Sequence, residues 1–207
     1  MGSEMCIRDR ITEYEMLGIK NRILEAVNEG YDGVVVTHGT DTLEETAYYL
    51  ELTLDVNIPV VVTGAMRSSN EIGADGLANL RSSLVVAISD ESSDKGVLVV
   101  MNDEVHTATY VTKTHTTNVA TFQTPTFGPI GLVSKNSVIY FQKLIKQEHY
   151  DVNGFGRKVS WRSMMATGCF PKIGKADRRE SSSFWMLHSK KEPEMYVMLN
   201  YKVLLLP

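Results

Sequence analysis

Residues 33–50 read GVVVTHGTDTLEETAYYL. Three consecutive valines, Val34 to Val36, form a short all-apolar run of the kind found in strands buried on both faces of a parallel sheet. From Leu43 onward the pattern turns helical, with Glu44 and Glu45 in the first turn, where the helix dipole favours negative charge. Between strand and helix lie Thr37, His38, Gly39, Thr40, Asp41 and Thr42. A strand running into a helix through a polar turn is the unit from which α/β sheets are built.

The same alternation extends outward. Residues 12–29 read as an amphipathic helix, with Met16, Ile19, Ile23 and Val27 at helical spacing and Gly30 as its C-cap. A second strand is expected at 58–64 (IPVVVTG), a helix at about 75–88 with Leu77, Leu80, Leu84 and Ala87 on one side, and a third strand at 96–102 (GVLVVMN). Together these predict an α/β fold with a parallel sheet and right-handed crossovers. After Asn102 the chain is rich in threonine and reads as an ordered loop or broken strand, followed by a strand at 137–143. Beyond about Gly154 no sustained period of 2 or 3.6 is visible. Residues 155–207 carry a formal charge of +6 and residues 1–154 carry −10.

The composition excludes several classes. The chain has 207 residues, 43% hydrophobic and 22% charged, with a net charge of −4. That is long enough for a core without staples, and its sign gives no reason to expect nucleic acid or an anionic membrane as partner. Cys6 and Cys169 make neither a CxxC nor a metal-ligand spacing, so a reducing compartment is the default. No apolar run reaches the roughly 18 residues of a membrane span, and MGSEMCIRDR lacks the apolar centre of a secretory signal.

In an open parallel sheet, ligands bind beyond the carboxyl ends of the strands. Residues 37–42 lie there, at the start of a helix whose free N–H groups attract an anion, and Gly39 permits a tight turn. Asp41 is of the opposite character, since a carboxylate binds an ammonium group. Donors beside one carboxylate suit a ligand carrying both signs, such as a free amino acid. Asp41 or Thr42 taken singly reads rather as a helix cap, and it is the whole run 37–42 after a buried strand that reads as a site. Lys113, in VTKTHTTN, is the only lysine between Lys95 and Lys135 and stands in uncharged, hydroxyl-rich sequence. Desolvated there, it could serve as the base that a hydroxyl nucleophile requires. The loop TGAMRSSNEIGADG, 63–76, follows a strand in the same way; its Arg67 could bind a carboxylate but is read rather as holding loop carbonyls. His106, with Asp103 and Glu104, lacks a third spaced ligand for a metal and is read as surface charge. His38 and His115 each sit inside a hydroxyl motif.

GVVVTHGTDTLEETAYYL, VVVTGAMRSSNEIGADGLANL and VLVVMNDEVHTATYVTKTHTTNVATFQTPTFGPIG together resemble the bacterial-type L-asparaginase family, in that family's order and spacing, from about residue 12 to 154. The resemblance implies hydrolysis of the side-chain amide of asparagine, and often of glutamine, with no metal or organic cofactor. It implies that Thr40 activates water or assists acyl transfer, that Lys113 is the base, and that Asp41 binds the substrate ammonium. Gly39 and main-chain donors near Thr40 and Ala65 would hold the substrate and polarise its amide oxygen. Ser3 matches the family's serine-containing substrate loop.

The family's Thr-Gly-Gly-Thr motif, bearing the acylated nucleophile, is absent from these residues. Three segments are therefore expected: residues 1–11, non-native or disordered; a partial N-terminal domain, 12–154, lacking its first strand and so leaving an open edge beside Val34–Val36; and an anomalous tail, 155–207, in place of the family's C-terminal domain. The resemblance further implies a homotetramer in which neighbouring subunits complete each site, and a cytoplasmic location with a periplasmic one open. A chain of this kind would be inactive alone. Two alternatives remain from the sequence: a non-catalytic amino-acid-binding or subunit-interaction module on the same domain, and an enzyme acting on the amide of a charged transfer RNA, which the acidic core disfavours.

Overall fold

The computed structural model of the chain describes residues 11–144 and the backbone of two later strands, 184–188 and 202–206. Helix α1 spans Glu13–Glu29. The Glu15 carboxylate accepts the Thr12 N–H at its start. Gly30 ends it in the left-handed region, φ 88°, which glycine alone adopts without cost. Met16, Ile19 and Ile23 face the core as their spacing predicts, joined by Ala26.

Strands β1 (Gly33–Thr37), β2 (Val60–Thr63) and β3 (Val97–Met101) pair in parallel. Their side chains alternate between two cores, as strand geometry requires. Val34, Val36, Val60, Val62, Val97 and Val99 pack beneath α1 and helix α2 (Leu43–Thr53). Val35, Val61, Leu98 and Val100 pack on the other face with Val86 and Ala87 of helix α3 (Gly76–Ala87). The α/β class is therefore as expected, with helices on both faces of the sheet.

The rest of the sheet is antiparallel. Strand β4 (Glu104–Thr107) folds back on β3 through Asn102 and Asp103, both at positive φ (54° and 62°). A two-residue loop with both residues left-handed suits a hairpin and is far too short for a parallel crossover. Strand β5 (Thr112–Lys113) and strand β6 (Phe122–Gln123) form a separate ribbon. Strand β7 (Gly131–Ser134) pairs with β4 and with strand β8 (Ser137–Tyr140). The threonine-rich stretch thus becomes a ribbon and connecting turns, and the strand expected at 137–143 ends at Tyr140.

Two expectations are corrected. On α3, Leu77 does not face inward: it is 83% exposed, and the buried face carries Asn79, Ser82, Ser83, Val86 and Ala87. Small residues let the helix lie close to the sheet, with Leu80 and Leu84 half-buried at its flanks. The edge of β1 is not open: strand β9 (Phe184–His188) pairs antiparallel along it, Gly33 opposite His188, and strand β10 (Lys202–Leu206) adds in parallel to β9. Short apolar runs such as FWMLH and KVLLL carry strand signals that a search for long periodicity passes over. The resulting order is β10-β9-β1-β2-β3-β4-β7-β8. Among the described residues no helix is long and apolar enough to cross a membrane.

Candidate active site

The carboxyl ends of β1 and β2 are held together one residue past the ladder, where the His38 N–H donates to the Thr63 carbonyl, 2.8 Å. The chain then turns through Gly39, Thr40 and Asp41 into α2. His38 is buried, and its Nδ1 lies 2.6 Å from the Gly39 carbonyl oxygen. A carbonyl only accepts, so Nδ1 carries the proton and the ring holds the turn from within. Burial pushes the His38 pKa down to about 4, the hydrogen bond to Gly39 opposing it. The imidazole is therefore neutral at physiological pH and fixes Gly39.

The ribbon β5–β6 brings Lys113 over this turn. Phe122, its partner in the register, is buried and anchors the ribbon. Lys113 Nζ donates to Thr40 Oγ1 at 3.0 Å and to Asp41 Oδ1 at 2.7 Å. The lysine side chain is 16% exposed, the aspartate 58%. Three residues singled out by sequence, 73 positions apart at the extremes, thus meet in one polar cluster beyond the strand ends. Asp41 gives one oxygen to Lys113 and presents the rest of its carboxylate to solvent.

A second loop completes the cluster. At Gly64 a Cβ would lie 2.5 Å from the His38 carbonyl oxygen and 3.3 Å from Thr40 Cγ2, so only glycine allows the two loops to touch. Ala65 follows, exposed, at the rim. Asp75, where helix α3 begins, turns its carboxylate back on the loop and accepts the N–H groups of Met66 (3.0 Å) and Arg67 (2.9 Å). Arg67 donates to the Gly73 carbonyl at 3.0 Å, the carbonyl-holding position expected of it. Beneath the loop the buried Asn79 donates to the Gly64 carbonyl (3.0 Å) and to Asp75 (2.9 Å), and accepts the Asn102 N–H (2.9 Å). It ties the ends of β2 and β3 to α3.

Other candidates go elsewhere. His115 is exposed, and its Nδ1 accepts the Thr117 N–H. His106 is not on the surface as expected: it is buried against Thr124 Oγ1, 3.0 Å, its pKa pushed down to about 4 by burial. Its Nε2 lies 3.4 Å from Glu104, too distant to offset that burial. Ser3 lies outside the described residues. Among the described residues no cluster of three metal-ligating side chains occurs. A cavity of about 430 Å³ opens at the opposite end of the sheet, where β2 and β3 begin, lined by Glu51, Val60, Val97, Tyr110 and Phe127. It shares no residue with the Thr40 cluster.

Three residues near the cluster went unread in the sequence as anything more than helix-end residues or not at all. Glu44 accepts the main-chain N–H of Lys113. Glu45, one residue on, is buried, and one of its carboxylate oxygens has no hydrogen-bond partner among the described residues. Burial raises its pKa to about 7, the charges of Glu44 and Asp41 adding to the rise and Lys113 opposing it. Asn79 is the third.

Residues 9–146 match the family model described as Asparaginase, N-terminal, and the chain belongs to the asparaginase family. It is 42% identical over 139 residues to the L-asparaginase of Bacillus licheniformis, covering 67% of this chain and 43% of that protein. It is 50% identical over 118 residues to L-asparaginase 2 of Escherichia coli strain K12, covering 57% and 34%. The solved structure of the probable cytoplasmic L-asparaginase from Campylobacter jejuni superposes with a TM-score of 0.67 at 41% identity, covering 69% of this chain and 47% of that one. The chain thus spans less than half the length of these relatives.

Proposed function

We propose that this chain carries the amide-hydrolysing half-site of an L-asparaginase, which converts the side-chain amide of L-asparagine, or of L-glutamine, to the acid and ammonia. The observation that supports this best is the 3.0 Å contact between Lys113 Nζ and Thr40 Oγ1. That distance is within reach for proton transfer. As the base, Nζ takes a proton from the Thr40 hydroxyl or from a water held by it, and the proton then leaves with the departing ammonia. Asp41, exposed on its outer side, takes the substrate ammonium. Gly39 shapes the turn, and main-chain N–H groups near Thr40 and Ala65 face the oxyanion of the tetrahedral intermediate. The acylated threonine of the family's first strand has no counterpart in these 207 residues. The chain as given is therefore read as binding without turnover, and the cycle as needing that threonine and the C-terminal domain of a neighbouring subunit in a homotetramer. A cytoplasmic location is proposed with it, as for the Campylobacter jejuni relative.

The test follows ammonia release from L-asparagine by the purified chain, with binding of L-aspartate measured by calorimetry. Binding that weakens at least about tenfold in Asp41→Ala, with no ammonia above background, is expected. Turnover that Thr40→Ala abolishes would overturn the division of roles, because it would make the missing threonine dispensable. Binding that Asp41→Ala leaves unchanged would overturn the site itself.

A further inference from the structure

The ribbon that carries Lys113 stands apart from the main sheet, so no strand of that sheet fixes its height above the Thr40 turn. Buried Val111 and Phe122 seat it on the core but do not set the direction of Lys113. Three hydrogen bonds from Lys113 reach one short segment of chain. Nζ donates to Thr40 and Asp41, and the main-chain N–H donates to the carboxylate of Glu44. Residues 40 and 41 form the turn into α2 and Glu44 stands in its first turn, so all three acceptors ride on one rigid piece. Glu45, the neighbouring carboxylate, is buried and makes no such contact.

We propose that Glu44 is a positioning residue for Lys113: by holding the lysine's main chain against the first turn of α2, it fixes the distance from which Nζ meets Thr40 and Asp41. The importance of this for catalysis rests on the reading of Lys113 as the base; the contact itself does not. A carboxylate on a main-chain N–H is a charge-assisted bond, stronger than a neutral one. Without it the ribbon would still hold the main chain of Lys113 through its pairing with Phe122, but the tie from Lys113 to α2 would pass only through its flexible side chain, whose four-carbon stem permits many placements of the ammonium. Glu44 does not touch the reacting atoms in this arrangement.

A merely helix-stabilising role must be separated from positioning. Glutamine at 44 removes the charge that favours the helix start but keeps an oxygen able to accept the Lys113 N–H; alanine removes both. The experiment compares the whole chain with Glu44→Gln and Glu44→Ala by two readings. Hydrogen exchange of the Lys113 amide is followed by NMR, and the rate of acetylation of Lys113 Nζ by acetic anhydride, relative to Lys95 and Lys135, by mass spectrometry. In Glu44→Ala the amide should exchange at least about tenfold faster and Nζ should acetylate faster, while Glu44→Gln, keeping a neutral acceptor, falls between the parent and Glu44→Ala in both. The proposal is overturned if Glu44→Ala changes neither reading, if it speeds exchange but leaves the acetylation rate unmoved, or if Glu44→Gln behaves like Glu44→Ala. Should the asparaginase reading fail instead, the aspartate-binding and ammonia assays would show it while these two readings still reported on Glu44.

Discussion

Asn79 occupies a buried helix position that propensity and packing would assign to alanine or leucine. It holds a carbonyl of the loop at Gly64, a carboxylate oxygen of Asp75 and the N–H of Asn102, so its amide uses both ends. Asn79→Ala would leave those groups without their partner in a half-buried setting, at a cost of about 2–3 kcal/mol. Asn79→Asp should be worse, because its carboxylate would face that of Asp75, 2.9 Å from the present amide nitrogen. Urea denaturation checks both; an alanine variant within about 0.5 kcal/mol of the parent would show that water replaces the side chain without loss. At this scale the sequence was most informative where a motif concentrated unusual residues. Thr40 and Asp41 at a strand end, and Lys113 alone among hydroxyls, stood out by composition, and the structure brings them together. Glu44, Asp75 and Asn79 did not stand out. Acidic residues at helix starts are ordinary, and nothing local announces that Glu44 reaches a main-chain N–H 69 residues away.

The elements that a periodic pattern defines were legible, and those defined by what they touch were not. Helix α1 shows its apolar stripe and its glycine cap openly. The inward face of α3 was misread because its leucines are the larger signal, while the sheet takes the side of Asn79, Ser82 and Ser83. Two glycines separate propensity from contact. Gly18 lies in the interior of α1, where a Cβ would meet nothing within 4 Å. Gly18→Ala should therefore stabilise the chain by about 0.5–1 kcal/mol through backbone entropy alone. Gly64→Ala should do the reverse. Its Cβ would lie 2.5 Å from the His38 carbonyl, which is backbone and cannot swing aside. The loops must part, at a cost of about 1–3 kcal/mol, and the Thr40 turn moves with them. Thermal denaturation of the two variants gives the comparison. An increase in melting temperature for Gly64→Ala would mean that the two loops are not in contact in solution.

Across the whole molecule, the parallel centre β1-β2-β3 follows from buried apolar runs separated by helices, whereas the antiparallel flank hangs on two hairpin turns that read as ordinary polar loop. Stability as a function of pH is also a property of the whole, because three buried groups pull it in opposite directions. His38 and His106 have pKa values near 4 when folded against an ordinary 6.5. The unfolded chain therefore takes up their protons first as pH falls, and stability is lost from about pH 6.5 down to 4. Glu45 has a folded pKa near 7 against an ordinary 4.5. The folded chain holds its proton more tightly, so its contribution is full below pH 4.5 and is lost as pH rises through 7. Between pH 4.5 and 6.5 the two histidines outweigh the one carboxyl. These three groups together should make the protein more stable with rising pH by about 1.4 kcal/mol per unit at most, one net proton. The slope can be dissected, since the groups act with opposite sign. His106→Gln, which can keep an acceptor or donor toward Thr124, should flatten it, and Glu45→Gln should steepen it. Glu45→Gln should also stabilise the chain at pH 8, by roughly 3 kcal/mol at most, and leave it nearly unchanged at pH 4. Chemical denaturation at intervals from pH 4 to 8 measures all of this. A Glu45→Gln variant equally destabilised at both ends of the range would mean that the carboxylate is ionised and paired in the folded state, contrary to its buried, unpartnered oxygen.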